Sequence, residues 1–331
     1  MIHKNLTPFY WGPKTTSRTP PQVEMAVCVR GVFRLAPNTP LEAIEDPIEQ
    51  GFMSGDVFGE DDINQEGALS HASDFADFKL NSEVLLKGSC HPPGGSGTEC
   101  AVRFAVGNWS KSINVVGPRA YKPGLVLGGK ASEPQPFASM PLTWENAYGG
   151  EGYGRNPAGR GFRGEELPTV EAPGAPIKKP GGKNIAPASF LPISPHWPQR
   201  SGKRGKNYGT RWKKTRAPFF SDDFDWTYFH AAPDDQQLDG YLRGDEQLTF
   251  ENLHPDAAAW STELPGLRIR AFVKNADGKI HEPEMRLDTL FANLEDGELH
   301  LTWRGLTPIQ EIDMTDVGVV LIASEDLGDE P

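Results

Sequence analysis

Two carboxylate clusters mark the places where general acid–base chemistry could be done: Asp222, Asp223 and Asp225, and the pair Asp234 and Asp235. Paired carboxylates support hydrolysis when one is held neutral to donate a proton and the other stays ionised. A carbohydrate-active hydrolase would have to use these pairs. A glycan-binding β module would instead set an aromatic face beside a polar group, and Trp226 next to Asp225 is the best placed. The competing reading is that these side chains cap turns and form local salt bridges.

The other reactive residue types lack the spacing that chemistry requires. The eight histidines, among them His196, His230, His254, His281 and His300, form no HxH or HExxH arrangement, and no CxxC is present to complete a zinc set. No GxSxG elbow presents a nucleophile. The run Gly149–Gly154 (GGEGYG) follows a predicted helix rather than a strand, which is the wrong setting for a phosphate loop. Neither Asp56–Glu66 nor Asp222–Asp225 has the spaced oxygen ligands and sixth-position glycine of a calcium loop. The sequence therefore predicts no catalytic residue, no metal and no cofactor. Cys28, Cys90 and Cys100 are odd in number, which fits buried, reduced thiols in the cytoplasm and leaves a Cys90–Cys100 bridge open.

Charge is segregated along the chain. Of 33 Lys and Arg, 11 fall within Lys178–Arg216, which contains none of the 45 Asp and Glu. The candidate partner-binding residues are Lys203, Arg204, Lys206, Arg211, Lys213, Lys214 and Arg216, interleaved with Tyr208 and Trp212. Basic residues among aromatics can stack on single-stranded nucleic acid. They also steer an acidic protein partner, or pair internally with Asp222, Asp223 and Asp225. A formal charge of −12 disfavours nucleic acid as the partner of the whole chain. His230–Leu238 (HAAPDDQQL) reads as a turn fixed by Pro233, whose Asp and Gln side chains cap backbone groups, or as a contact loop.

The elements that must position these residues are strands. The 36 Gly and 30 Pro make up about a fifth of the 331 residues, which rules out long helical bundles. Gln22–Leu35 alternates through Val23, Met25, Val27 and Val29, the pattern of a half-buried strand, with Gly31 as a bulge or bend. Val84–Cys90, Glu99–Val106 and Ser112–Val116 read as further strands. Asp277-Gly278 and Asp296-Gly297 sit between alternating runs and predict type I′ hairpins, with Leu290, Ala292, Leu294, Leu299, Leu301 and Trp303 on shared faces. Asp316–Ala323 reads as a terminal strand, and Leu142–Tyr148 as one short helix closed by Gly149-Gly150. The predicted fold is mainly β: sandwich-like strand regions at 1–127 and 221–331, joined by a Gly/Pro-rich irregular region at 128–220, compatible with one continuous domain. The opening residues have no apolar core of a signal peptide, and Val317–Ala323 is far shorter than the ~20 residues a membrane helix needs, so no membrane partner is expected.

Ordered motifs run through most of the chain: Asn5–Phe9, Pro136–Leu142, Trp144–Gly150, Asn156–Phe162, Trp197–Arg200, Tyr208–Trp212, Asp223–Asp225, Phe229–Gln237, Gly244–Glu246 and Trp303–Gly305. In these the chain resembles a family of formerly uncharacterised domains encoded beside effector genes in bacterial type VI secretion clusters. Tyr148 stands where Phe is more usual, and Gly209 where Asp is. The resemblance implies a cytoplasmic adaptor or chaperone that binds a cognate secreted effector and helps load it onto the spike or tip protein of the apparatus. It carries over no catalytic residue. The motif residues it marks, without a role, are Asn156, Pro157, Arg160, Trp197, Arg200, Trp212, Asp223, Asp225, Pro233, Asp235 and Gln236.

Overall fold

The computed structural model describes residues 2–44, 52–59, 67–124, 128–275, 277–309 and 318–324. The fold is mainly β. The strands of its larger sheets are β1 (Ile2–Asn5), β2 (Tyr10–Thr19), β3 (Gln22–Arg34), β4 (Glu83–Lys87), β5 (Glu99–Val106), β6 (Trp109–Val116), β7 (Val170–Glu171), β8 (Gln247–Glu251), β9 (Ala259–Glu263), β10 (Arg268–Lys274), β11 (Ile280–His281), β12 (Arg286–Asn293), β13 (Glu298–Ile309) and β14 (Gly318–Ser324). A six-stranded sheet has the order β2-β3-β13-β12-β4, with Glu42–Ala43 paired to β3. A five-stranded sheet runs β7-β6-β5-β8-β9, and a four-stranded sheet β1-β14-β10-β11. Strands from both ends of the chain share sheets: β3 and β13 pair from Arg34↔Glu298 to Val23↔Ile309. Of the predicted terminal strand, Gly318 onward is strand, and Asp316 and Val317 lie outside the described residues.

One apolar core joins the sheets. Met25, Val27 and Val29 of β3, Leu290 and Ala292 of β12, and Leu299, Leu301 and Trp303 of β13 share it with Val102, Phe104, Ile113 and Phe250 of the five-stranded sheet. Each fully buried aliphatic or aromatic side chain contributes roughly 1.5–3 kcal/mol. Leu294 lies at the rim of this core.

Several expectations change on contact with the structure. β3 is not half-buried: every residue from Met25 to Phe33 is buried, because residues 67–79 form a strap across the face that alternation assigns to solvent. Gly31 is not a bulge but pairs with Leu301 in unbroken register. A Cβ there would come within 3.1 Å of the Phe9 ring, so the glycine makes room for Phe9 to stack on Trp303 at 5.9 Å. The Asp-Gly hairpins are wider than two-residue type I′ turns. The pairs Lys274↔Ile280 and Asn293↔Glu298 leave five and four residues between strands. Gly278 and Gly297 have positive φ, 84° and 67°, whereas the described non-glycine residues with positive φ are Asn38 and Asn252. The turn aspartates accept side-chain and backbone hydrogen bonds instead, Asp277 from the Lys279 N–H (2.9 Å) and Asp296 from the Asn293 amide (2.6 Å).

The irregular middle holds two short helices that no sequence pattern announces, α1 (Pro198–Ser201) and α2 (Thr210–Thr215). The predicted Leu142–Tyr148 helix contracts to a single 3-10 turn, Trp144–Asn146. Its bonds are of the tighter i→i+3 kind, from the Asn146 N–H to the Thr143 carbonyl and from the Ala147 N–H to the Trp144 carbonyl (both 3.2 Å), and from Tyr148 on the chain is strand, paired with Arg160.

Candidate functional site

The cationic residues gather on a lobe made by α1, α2 and the loops up to residue 229. Its interior is aromatic. Phe220 lies 4.4 Å from Phe224 and 5.3 Å from Trp226, and Tyr208 meets Trp212 edge-on at 5.0 Å. Phe219, Phe220, Trp226, Tyr228 and Phe229 are each only half-buried. The Trp212 indole donates to the Phe219 carbonyl (2.7 Å), and the Phe220 N–H reaches the Ser17 carbonyl at the free edge of β2 (3.2 Å).

The carboxylates that neighbour the lobe bond mainly to neutral backbone and hydroxyl groups, and none forms an ion pair with Lys206, Arg211, Lys213 or Lys214 among the described residues. Asp223 accepts from the Ser221 hydroxyl (2.6 Å) and from the backbone N–H groups of Lys206 (2.8 Å) and Asn207 (3.2 Å). These bonds, Ser221 foremost, hold its carboxyl below the usual range. Asp225 caps the 3-10 turn Trp226–Phe229 through the Thr227 N–H (2.9 Å) and hydroxyl (2.7 Å). Asp222 takes the Asn207 amide. Lys203 approaches Asp234 at 3.7 Å, Arg204 lies over the Tyr228 ring at 5.7 Å, and the Arg216 guanidinium donates to the Phe220 carbonyl. Lys206, Arg211, Lys213 and Lys214 are exposed and make no ion pair among the described residues. Trp226 packs among the aromatics rather than standing out as a platform.

The motif residues from 156 onward mostly organise backbone. Asn156 is fully buried, and its amide donates to the carbonyls of Trp144 (2.7 Å) and Tyr148 (3.1 Å). Pro157 is exposed beside it, and Arg160 Nε donates to the Glu145 carbonyl (2.8 Å). Trp197 is buried edge-on against Trp144. Arg200, also buried, donates to the Ile193 carbonyl (2.8 Å) and covers Tyr228. The Pro233–Gln237 stretch is the predicted turn, but only its Gln side chains reach backbone groups: no side chain caps the 3-10 turn Asp234–Gln236, and the Asp235 carboxylate meets Lys111 instead. The Pro233 carbonyl accepts from the Gln236 N–H (2.9 Å), and the fully buried Gln236 amide donates to the carbonyls of Val84 (2.7 Å) and Phe190 (3.0 Å). Lys111 donates to Gln236 Oε1 (2.6 Å) and to Asp235 (2.9 Å).

A second polar cluster lies beneath the strap. Arg30 pairs with Asp74 (2.8 Å), Arg304 with Asp288, and Lys79 with Glu83 (2.6 Å). Arg30 also lies 2.8 Å from His300 Nδ1. A guanidinium only donates, so Nδ1 accepts and the His300 proton sits on Nε2, facing Glu298 at 2.8 Å. His71 Nδ1 donates to the Ala72 carbonyl (2.7 Å), which leaves its Nε2 lone pair 3.3 Å from His300 Nδ1. Burial, followed by the Arg30 charge, pushes the His71 pKa down to about 3. Burial also lowers His300, against the pull of Glu298. Burial would raise the Asp74 and Glu83 carboxyls, but Arg30 and Lys79 hold both below their usual range. The enclosed cavity among His71, Asp74, Lys79, Glu83, Thr302 and Arg304 has a volume of about 20 Å³, space for about one water. Sequence reasoning missed this cluster, although His300, Thr302 and Arg304 alternate with Leu299, Leu301 and Trp303.

Cys28, Cys90 and Cys100 are free thiols, and burial pushes Cys28 up to about 12. Among the described residues no group of three or more His, Cys, Asp or Glu side chains is placed to hold a metal ion. No helix among them is long and apolar enough to cross a membrane. The acidic run Asp56–Glu66 falls in part, at residues 60–66, outside the described residues.

The molecule is thus a mainly β protein that carries a cationic, aromatic lobe. Residues 22–304, which include both lobe and strap, match the family of uncharacterised proteins conserved in bacteria designated DUF2169, and the chain belongs to that family. No curated protein and no solved structure matches it.

Proposed function

We propose that the protein is an adaptor that grips an acidic partner protein with the lobe of residues 198–229. The observation that carries this reading is the exposed set Lys206, Arg211, Lys213 and Lys214, whose acidic neighbours are spent on backbone and hydroxyl groups. Half-buried aromatics beside them supply contact area that a purely electrostatic patch lacks. The motif resemblance supports one kind of partner in this reading: a secreted effector of a type VI system, bound in the cytoplasm and passed to a spike or tip protein.

Affinity purification of the tagged protein together with the products of adjacent genes tests this. An effector or spike component should be retained at low ionic strength and released as salt rises, because the screening length shortens to ~8 Å at physiological strength. Retention of none of these products at any ionic strength sinks the adaptor reading.

A further inference from the structure

We propose that a hollow lined by Tyr153, Phe162 and Pro198, together with the cations Arg155 and Lys183, captures the C-terminal residue of a polypeptide partner. The hollow has a volume of about 640 Å³, within the roughly 300–1,000 Å³ of ligand pockets. Two of the ordered sequence motifs, Asn156–Phe162 and Trp197–Arg200, supply part of its wall.

Its frame is fixed by bonds within the chain. The N–H groups of Gly150, Tyr153 and Asn156 donate to the carbonyls of Asn156 (2.8 Å), Gly150 (2.9 Å) and Tyr153 (3.0 Å), which closes the loop that carries Arg155. The Gln199 amide donates to the Arg155 carbonyl and ties that loop to α1. Tyr153 packs against Tyr148 (5.2 Å) and Phe162 (5.1 Å). The Tyr148 hydroxyl donates to the Gly182 carbonyl (2.8 Å) and the Tyr153 hydroxyl to the Ile185 carbonyl, so Lys183 stands between two anchored residues. A preformed site of this kind loses little entropy on binding.

Charge selects the occupant. Arg155 and Lys183 are exposed and make no ion pair among the described residues, and no carboxylate lines the hollow with them. Glu151 and Glu166 meet Arg163 (3.4 Å) and Arg160 (3.5 Å) instead. The site therefore asks for an anion, and its aromatic and proline rings ask for an apolar body beside that anion. Asp and Glu side chains bring little apolar surface. A C-terminal residue joins a carboxylate to a side chain of any size, and capture of that carboxylate is a recurring mode of peptide recognition. The carboxylate pairs with Arg155 and Lys183, and the last side chain lies against Phe162 and Pro198. This inference does not rest on the adaptor reading, because no cation of residues 203–216 lines the hollow.

The test uses the full chain and fluorescein-labelled Gly-Ser-Gly-Ser peptides extended by Leu, Phe or Val, each as the free acid and as the C-terminal amide. A further amidated peptide carries Asp-Phe in its interior. In fluorescence anisotropy at least one free acid should bind, its amide and the internal Asp-Phe peptide at least tenfold more weakly. The double substitution Arg155→Glu and Lys183→Glu should weaken the free acid at least tenfold with an unchanged thermal midpoint. The triple substitution Lys206→Glu, Lys213→Glu and Lys214→Glu should leave it unchanged. No binding by any free acid, equal binding of acid and amide, equal binding of the internal Asp-Phe peptide, or loss in the triple rather than the double variant overturns the proposal. The first three outcomes leave the adaptor reading of the lobe intact.

Discussion

Asp74 reaches from the strap to accept from Arg30 Nη1 at 2.8 Å, and so ties residues 67–79 to the centre of β3 with a buried ion pair. The carboxylate also accepts from the Met53 N–H (2.8 Å), and its backbone carbonyl from Arg304 (2.7 Å). Removing either charge alone strands the other in a dry environment. Arg30→Met or Asp74→Leu should each cost about 3–5 kcal/mol in urea unfolding, and the double variant less than the sum of the two. Single variants within 1 kcal/mol of the parent would show that the pair is solvated in solution.

The two histidines at this junction set the sign of the acid response. His71 and His300 are neutral in the fold and titrate lower than free histidine, His71 at about 3. A depressed histidine favours the folded state above its unfolded value of ~6.5, and that stability is lost as pH falls through the window toward the folded value. Asp74 and Glu83, also depressed, act in the same direction at lower pH: their contribution is present above ~4 and disappears as they protonate. Thermal midpoints should fall steadily from pH 7 to pH 5 at fixed ionic strength, and His71→Leu should flatten the slope. A flat profile in the parent over that range contradicts the assignment.

Gln236 links three segments by one side chain, donating to Val84 and Phe190 and accepting from Lys111. Gln236→Leu keeps the approximate volume but leaves Lys111 short of an acceptor and the Val84 carbonyl short of a donor. Each unsatisfied buried group costs about 1–3 kcal/mol. Calorimetry should show a lowered midpoint. Gln236→Glu should be at least as harmful, because a carboxylate would face the two carbonyls.

The sequence discloses what local pattern controls. Leu299, Leu301 and Trp303 announce the core face of β13 by period two, and Pro233 announces a turn, though its aspartates meet side chains rather than cap backbone. His300, Thr302 and Arg304 obey the same alternation, yet their face is buried by a strap more than 220 residues earlier in the chain. No local rule tells water from a distant cover. The lobe is legible as composition but not as shape. Helices of four and six residues are too short to show a period, and the acids flanking the lobe look like partners for its cations until their hydrogen bonds are seen to go to backbone.

That last distinction gives the sharpest test of the lobe. If its charges serve a partner, the triple substitution Lys206→Glu, Lys213→Glu and Lys214→Glu should abolish capture of the adjacent-gene product. Stability should change by under about 1 kcal/mol, since these side chains are exposed and make no described ion pair. The Lys203→Glu, Arg204→Glu pair is less clean, because it also ends the Asp234 contact and the cation–π contact with Tyr228. Asp223→Ala supplies the opposite control. It leaves every cation in place but frees the Lys206 and Asn207 N–H groups and the Ser221 hydroxyl, so the loop should loosen and the midpoint fall. Stability and capture should therefore separate: charge reversal removes binding from a stable protein, and the aspartate variant lowers stability first. If charge reversal destabilises the fold as much as Asp223→Ala does, the cations are satisfied internally and the docking role is lost.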